Sequence, residues 1–366
     1  MKTVLVTLGT RPEAIKLAPV VAALRKRPGL HVRILFTGQH RALLDQVAAF
    51  FDITPDADLR VMQPGQTLPE LTALLVTGLD GVLQAECPDV VLAQGDTTTV
   101  LATGLACYYR KIAFGHVEAG LRSADLFSPF PEEGNRRLVS ILTAHHFAPT
   151  DESAGNLRRE GVPAAAIHMT GNTVVDALLE VARRDVALPV ALGDGQRLIT
   201  VTLHRRESFG EPLRGALGAI RKVLQARPDV LAVYPVHPNP NVEGPAHEIL
   251  GGLPNCRLVP PVAYGEMVAL MKRSTLLMTD SGGVQEEAPS LGVPILVLRD
   301  TTERPEGVRA GCARLCGTDP DVIVPAALEL LDSPAARARM RSATNPYGDG
   351  RASERIADII ERTYAQ

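Results

Sequence analysis

TVLVTLGTRPEAIKLAPVVAALRKRPG, residues 3–29, decides the fold. Its first six residues, Thr3 to Leu8, are rich in Val and Leu and show no apolar–polar alternation, the mark of a strand covered on both faces. Gly9 ends the run, and Pro12 suits the first turn of a helix. The same order recurs as VRILFTG (32–38) before QHRALLDQVAAFF (39–51), and as DVVLAQGD (89–96) before TTTVLATGLACYYR (97–110). KIAFGHVEAG (111–120) follows. Strand-then-helix repetition predicts a parallel, doubly wound sheet with right-handed crossovers.

The pattern restarts near residue 197. RLITVTL precedes HRRESFG (204–210), VLAVYPV precedes HPNPN (237–241), and STLLMTD precedes SGGVQEEAPSLG (281–292). PILVLRD then leads to TTERPEG (301–307). An α/β protein of two Rossmann-like domains is predicted, as 1–170 and 171–350, with 351–366 as a final amphipathic helix. The boundary falls near HMTGNTVVDALLEV (168–181), ahead of the Pro- and Gly-bearing DVALPVALGDGQR (185–197). Ligands of open α/β sheets bind beyond the carboxyl ends of the strands, so two such sheets facing each other predict one deep cleft.

Composition narrows the function classes. The chain has 366 residues, 45% hydrophobic and 22% charged, which suits two globular domains. A formal net charge of -3 and only 4% aromatics argue against a nucleic-acid or membrane-surface binder. MKTVLVTLGTRPEA offers too short an apolar run for a secretory signal, and no run approaches the roughly 18 residues of a membrane span. Cys87, Cys107, Cys256, Cys312 and Cys316 are scattered, which fits a reducing compartment rather than a disulfide framework. A soluble, cytoplasmic protein without a structural metal is expected.

Candidate chemistry sits at the predicted strand ends. Arg11 and Lys16 flank the first helix start, where free N–H groups favour an anion; the alternative is a plain turn with surface cations. TDSGGVQEEAP (279–289) is the stronger anion loop, with Ser281, Gly282 and Gly283 ahead of a helix predicted from Val284. In that first turn Glu286 and Glu287 serve either the helix dipole or ribose hydroxyls. His204, followed by Arg205 and Arg206, suits a phosphate or a leaving-group oxygen, or is a satisfied loop histidine. His237 has the same placement, whereas His145 and His146 read as structural.

GHVEAGLRSADLFSPFPEEGNRR (115–137) holds Glu118, Asp125, Glu132 and Glu133 among Arg122, Arg136 and Arg137. Asp96 closes VVLAQGD, where an N-cap is the commoner use. Several carboxylates in one pocket separate into acid and base roles, though the arginines equally read as their structural partners. Neither of these two stretches carries a D-x-D to suggest Mg²⁺.

Taken in order, GTRPEAIKLAP, GQHRALLDQV, MQPGQTLPELT, GDTTT, GHVEAGLRS, PFPEEGNRR, TGNTVVDAL, HRRESFG, YPVHPNPNV, TDSGGVQEEAPSLGVP, RDTTERPEG and NPYGDGRAS resemble the bacterial non-hydrolysing UDP-N-acetylglucosamine 2-epimerases, from about residue 7 to 352. The resemblance implies a glycosyltransferase-B type fold whose last helix crosses back onto the first domain. It implies reversible interconversion of UDP-GlcNAc and UDP-ManNAc by anti elimination of UDP to 2-acetamidoglucal and re-addition. No nicotinamide or other cofactor is implied, in keeping with the missing G-x-G-x-x-G.

By motif, Asp96, Glu118 and Glu132 become the acid/base carboxylates, without deciding which removes the proton, and His204 assists at the diphosphate. Arg11 and Lys16 fall by substrate phosphate or sugar; Ser281, Gly282 and Gly283 cradle the diphosphate; Glu287 binds the ribose and Arg304 helps near the nucleotide. Val262 and Met267 fall at the uracil pocket, where some members carry Gln and Phe, and Leu203 replaces a small residue before His204. A second UDP-GlcNAc, as activator, is implied at Gln39, Gln66, Arg205 and His237, with Glu132 at its border; a homodimer is implied too. The competing readings are a hydrolysing epimerase, a UDP-sugar transferase of the same fold, and a nucleotide-sugar sensor.

Overall fold

The structure, a computed structural model, describes residues 1–38, 41–123 and 125–365, with the side chains of 41–43 set aside. The chain forms two compact units, Met1–Ala177 with Tyr347–Gln366, and Leu178–Pro346. The first division falls inside the helix Thr173–Ala182, beyond the boundary expected after residue 170.

In the first unit seven parallel strands lie in the order β3-β2-β1-β4-β5-β6-β7. They are β1 (Lys2–Leu8), β2 (Leu30–Phe36), β3 (Ala57–Asp58), β4 (Val90–Gln94), β5 (Ala113–Val117), β6 (His145–Ala148) and β7 (Ile167–Met169). The order reverses between β1 and β4, and their exits mark the crevice that such sheets offer to ligands. β4 is buried along all five residues, as its unbroken apolar run requires. The helix Leu68–Glu86 turns Leu71, Leu75, Leu79 and Leu83, spaced four apart, onto Val91, Ala93 and Val100. The helix Ala352–Tyr364 lies on the helix Arg11–Arg25 with Ile356 and Ile360 buried. The buried carboxylate of Asp176 accepts the N–H groups of Ala352 (3.2 Å) and Ser353 (2.8 Å) at that helix's start.

The second unit repeats the plan with six parallel strands in the order β10-β9-β8-β11-β12-β13. They are β8 (Arg197–Thr202), β9 (Val230–Pro235), β10 (Cys256–Val259), β11 (Leu276–Thr279), β12 (Ile295–Val297) and β13 (Ala313–Leu315). Here the reversal falls between β8 and β11. The helix Glu211–Ala226 packs Leu213, Leu217, Ile220 and Val223 into a core that includes Tyr234 and Met278. Both units are doubly wound, as the repeated pattern predicts. Among the described residues no helix is long and apolar enough to cross a membrane.

Candidate active site

At the exit of β1, Gly9 and Thr10 open the helix Arg11–Arg25, and Glu13 turns back to cap it. Glu13 Oε2 accepts the N–H of Gly9 (2.5 Å) and of Thr10 (2.8 Å), while Oε1 accepts the Thr97 hydroxyl (2.6 Å). One carboxylate thus ties the β1 exit to the β4 exit. Burial pushes Glu13 up to about 7 against the pull of these three donors, with Asp96 adding to the rise. The turn expected to offer free N–H groups to an anion has two of them taken by its own glutamate. Arg11 is half-buried at the first helical position.

β4 and β5 are neighbours in register, Gln94 opposite Val117, so Asp96 and Glu118 leave adjacent strands. Glu118 is buried and holds φ +66, a left-handed backbone that a non-glycine residue adopts at a cost. Its Oε2 accepts the Lys16 ammonium (2.6 Å) and the Gln94 side-chain amide. His116, pushed down to about 4 by burial and therefore neutral, donates from Nε2 to the Gly95 carbonyl (2.7 Å) and pins the turn that carries Asp96. Thr97, not Asp96, is the N-cap of the helix Thr98–Arg110. The Asp96 carboxylate instead lies 3.5 Å from Arg136 Nε, and Asn135 Nδ2 donates to its carbonyl (2.8 Å). The first turn of the helix Glu132–Leu142 is thereby brought to the β4 exit.

The adjacent glutamates of that turn differ. Glu133 is fully buried and accepts from the Ser123 N–H (3.0 Å) and from Arg137 Nε (2.7 Å). Glu132 is half-buried, and its Oε2 is sealed from solvent without a hydrogen-bond partner. Arg122 pairs with Glu160 at 2.6 Å. The arginines of this stretch are therefore engaged in ion pairs, and among the described residues Glu132 is the carboxylate of this turn with an unpartnered oxygen.

In the second unit the exits of β8 and β11 carry the candidate residues. His204 is half-buried and stacks on His237, with ring centroids 5.9 Å apart and planes 12° apart. Leu203 before it is buried in the core, and its carbonyl accepts the Tyr234 hydroxyl (2.5 Å), so the larger side chain is directed away from the strand end. Asp280, fully buried, accepts the N–H groups of His204 and Arg205, both at 2.8 Å. Arg205 Nε is buried without a partner. A Cβ added at Gly282 would meet Arg205 Nη2 at 3.4 Å, which puts that guanidinium beside the Ser281–Gly282 loop.

Ser281 caps a helix that begins at Gly282, two residues earlier than predicted. Both glycines have entered the helix, so Glu286 and Glu287 lie at its far end rather than in its first turn, where the dipole gives a carboxylate no help. Each has a specific partner instead. Glu286 accepts from Arg304 Nε, and Glu287 Oε1 accepts the Tyr264 hydroxyl (2.9 Å). Met267 lies on the same helix as Tyr264, half-buried, and Val262 packs on a small cluster with Leu198 and Leu231. Gln66, in the first unit, folds back on itself, donating to the Val61 carbonyl (3.2 Å) and accepting from Gln63 N–H (3.3 Å). Gln39 lies outside the described residues.

Glu13, Gln94, Tyr264 and Asp280 escape the sequence reading. Only Glu13 carried a local signal, since Thr10-Arg-Pro-Glu13 has the Thr-x-x-Glu spacing of a capping box.

Residues 22–361 match the family model described as UDP-N-acetylglucosamine 2-epimerase. The UDP-N-acetylglucosamine 2-epimerase of Escherichia coli K12 is 50% identical over 98% of each chain. The crystal structure of UDP-GlcNAc 2-epimerase from Neisseria meningitidis bound to UDP-GlcNAc superposes with a TM-score of 0.89 at 43% identity, covering 99% of this chain and 100% of that one. The Methanocaldococcus jannaschii enzyme in complex with UDP-GlcNAc and UDP gives 0.80 at 34% identity, covering 99% and 100%. With identities of this size running the length of two doubly wound units, the chain belongs to the UDP-N-acetylglucosamine 2-epimerase family.

Proposed function

We propose that the chain interconverts UDP-GlcNAc and UDP-ManNAc without net hydrolysis, supplying ManNAc units for cell-surface polysaccharide. The observation that carries the reading is family membership across residues 22–361, reinforced by a relative that binds UDP-GlcNAc. The geometry supports a division of labour. In the first unit Asp96, Glu118 and Glu132 handle the proton at sugar C2, and Lys16 donates to Glu118 at 2.6 Å. In the second, Ser281, Gly282 and Gly283 hold the diphosphate, with Arg205 and Arg304 beside Gly282; Arg11 and Lys16 are assigned to substrate, Glu287 to ribose, and Val262 and Met267 to the uracil end.

The C2 proton is poorly acidic, so its removal has to be matched by charge stabilisation as the anomeric C–O bond breaks. C–H and C–O cleavage on opposite faces yields UDP and 2-acetamidoglucal. Re-addition of the UDP oxygen at C1, with a proton delivered to the other face of C2, gives the epimer. Retained UDP makes that return effectively unimolecular. His204 serves the departing diphosphate oxygen.

The relative holding both UDP-GlcNAc and UDP motivates a second nucleotide-sugar site, assigned to Gln39, Gln66, Arg205 and His237 at the border of Glu132. Such coupling is typically about 1–3 kcal/mol. Strictly hyperbolic kinetics from UDP-ManNAc, with no need for UDP-GlcNAc, would remove it. A cytoplasmic homodimer completes the reading.

The deciding experiment is proton NMR of the purified protein with UDP-GlcNAc in D₂O and nothing added. UDP-ManNAc carrying deuterium at C2 is expected. Free ManNAc with UDP would assign the hydrolysing reaction, and an inert substrate would favour a transferase or a sensor.

A further inference from the structure

Among the described residues, Asp280 is the buried carboxylate at the β11 exit that the mechanism does not use. Its N–H continues the β8–β11 ladder, donating to the Thr202 carbonyl at 3.0 Å. This fixes its backbone one step past the strand, with the side chain directed across to the first residues beyond β8. One oxygen, Oδ2, accepts the His204 and Arg205 N–H groups and is fully used. The other, Oδ1, is buried and accepts no hydrogen bond, and it lies 3.5 Å from His204 Nδ1. A buried carboxylate oxygen without a donor is costly, and the imidazole edge stands slightly beyond hydrogen-bond length from it. His237 holds the face of the same ring. The ring is therefore bounded on one edge and one face, leaving Nε2 as its working atom.

We propose that Asp280 is a positioning residue: it selects the Nδ1–H tautomer of His204, fixes the ring, and stabilises the imidazolium that forms when Nε2 takes a proton. The inference rests on the reading that His204 serves the leaving diphosphate. In re-addition Nε2 takes the proton from the terminal phosphate oxygen of UDP as that oxygen bonds to C1, leaving a positive ring beside Asp280. In elimination the ring, protonated from solvent once the anionic diphosphate is bound, gives that proton to the same oxygen as the C1–O bond breaks. Glu207 joins Asp280 in favouring the charged ring, while Arg205, His237 and burial oppose it; Arg299 and the Tyr234 hydroxyl face Asp280 itself. Burial prevails and holds free His204 below the usual histidine range, so the neutral ring, whose tautomer Asp280 decides, is the resting form.

Three measurements test this. In ¹⁵N NMR of the unsubstituted protein near neutral pH, His204 is expected as the Nδ1–H tautomer; a dominant Nε2–H tautomer would overturn the proposal, whatever the protein's activity. Asp280→Asn keeps an oxygen for the two N–H groups but offers an amide to Nδ1. It is expected to reverse the tautomer and cut kcat by about 10²-fold or more, displacing the pH–rate profile, with KM changed much less. In the Asp280→Asn/His204→Asn double variant, turnover no lower than in His204→Asn alone is expected, since Asp280 acts through that ring. Losses that multiply would overturn it. If the unsubstituted enzyme shows the Nδ1–H tautomer but no epimerisation, the functional reading fails and the tautomer assignment stands.

Discussion

Glu132 and Glu133 are neighbours in sequence with opposite duties. Glu133 has no exposure and accepts from Ser123 and Arg137, so Glu133→Gln is expected to lower the denaturation midpoint, at a cost of about 1–3 kcal/mol for a buried acceptor left ill-matched. Glu132 has an unpartnered oxygen, and Glu132→Gln is expected to leave the denaturation midpoint nearly unchanged while cutting turnover by at least about 10²-fold. Asp96→Asn and Glu118→Gln should match that loss of turnover. Near-normal rates in all three would refute the carboxylate assignment.

Glu13 makes a separate prediction. Its folded carboxyl titrates at about 7 against 4.5 for the ordinary group, so between these values the folded state holds a proton that the unfolded chain has released. Its contribution is thus present below about 4.5 and is lost as pH rises through about 7. The stability of the unsubstituted protein relative to Glu13→Gln should fall across that window, read from urea midpoints. A flat difference would show that Glu13 is ionised throughout. At this scale the sequence was informative only in part. A strand-end Asp or Glu is visible in a run such as VVLAQGD. That Glu118 pairs with Lys16, a partner 102 residues away, or that Asp280 reaches His204, follows only from which strands become neighbours.

Among the elements, the central strands were legible and several of the outer ones were not. β1, β4 and β11 are apolar runs closed by Gly or Asp, β8 runs into His204, and the pattern located each. β11 and β12 are as short, at four and three residues, but sit in the apolar runs STLLMTD and PILVLRD, whereas β3, β6, β7, β10 and β13 lie in no such run. β6 is His145-His-Phe-Ala148, whose two histidines hid a buried strand; burial pushes His146 down to about 3, so it packs as a neutral ring. The turn after β5 is demanding as well. Gly120 holds φ +89, and a Cβ there would lie 2.3 Å from the Ser153 carbonyl oxygen. Gly120→Ala is therefore expected to lower thermal stability steeply, by more than the ~1 kcal/mol of an ordinary left-handed substitution. A melting temperature within a degree of the parent would contradict the tight packing of this turn.

For the whole molecule, the two units differ in how their chain is laid out. All strand pairs of the second unit lie within 178–346, so that fragment is expected to fold alone, with cooperative urea unfolding. The first unit needs residues 347–366: Ile356 and Ile360 are buried there, Arg27 reaches Asp358 and Glu361, and Tyr364 meets His145 at 2.8 Å. Each buried isoleucine is worth about 1.5–3 kcal/mol. Fragment 1–177 should therefore be unstable alone and gain stability when residues 347–366 are joined to it by a flexible linker. Equal denaturation midpoints for the two versions would count against this.

That layout also bears on synthesis. A ribosome delivers Met1–Ala177 first, yet the helix that completes this unit comes only after every residue of 178–346 has been made. At about 5–20 residues per second, the helix Arg11–Arg25 waits of order ten seconds or more for its cover. The unit made second can be finished first, and the surface left waiting is the stretch of nascent chain that a chaperone would meet.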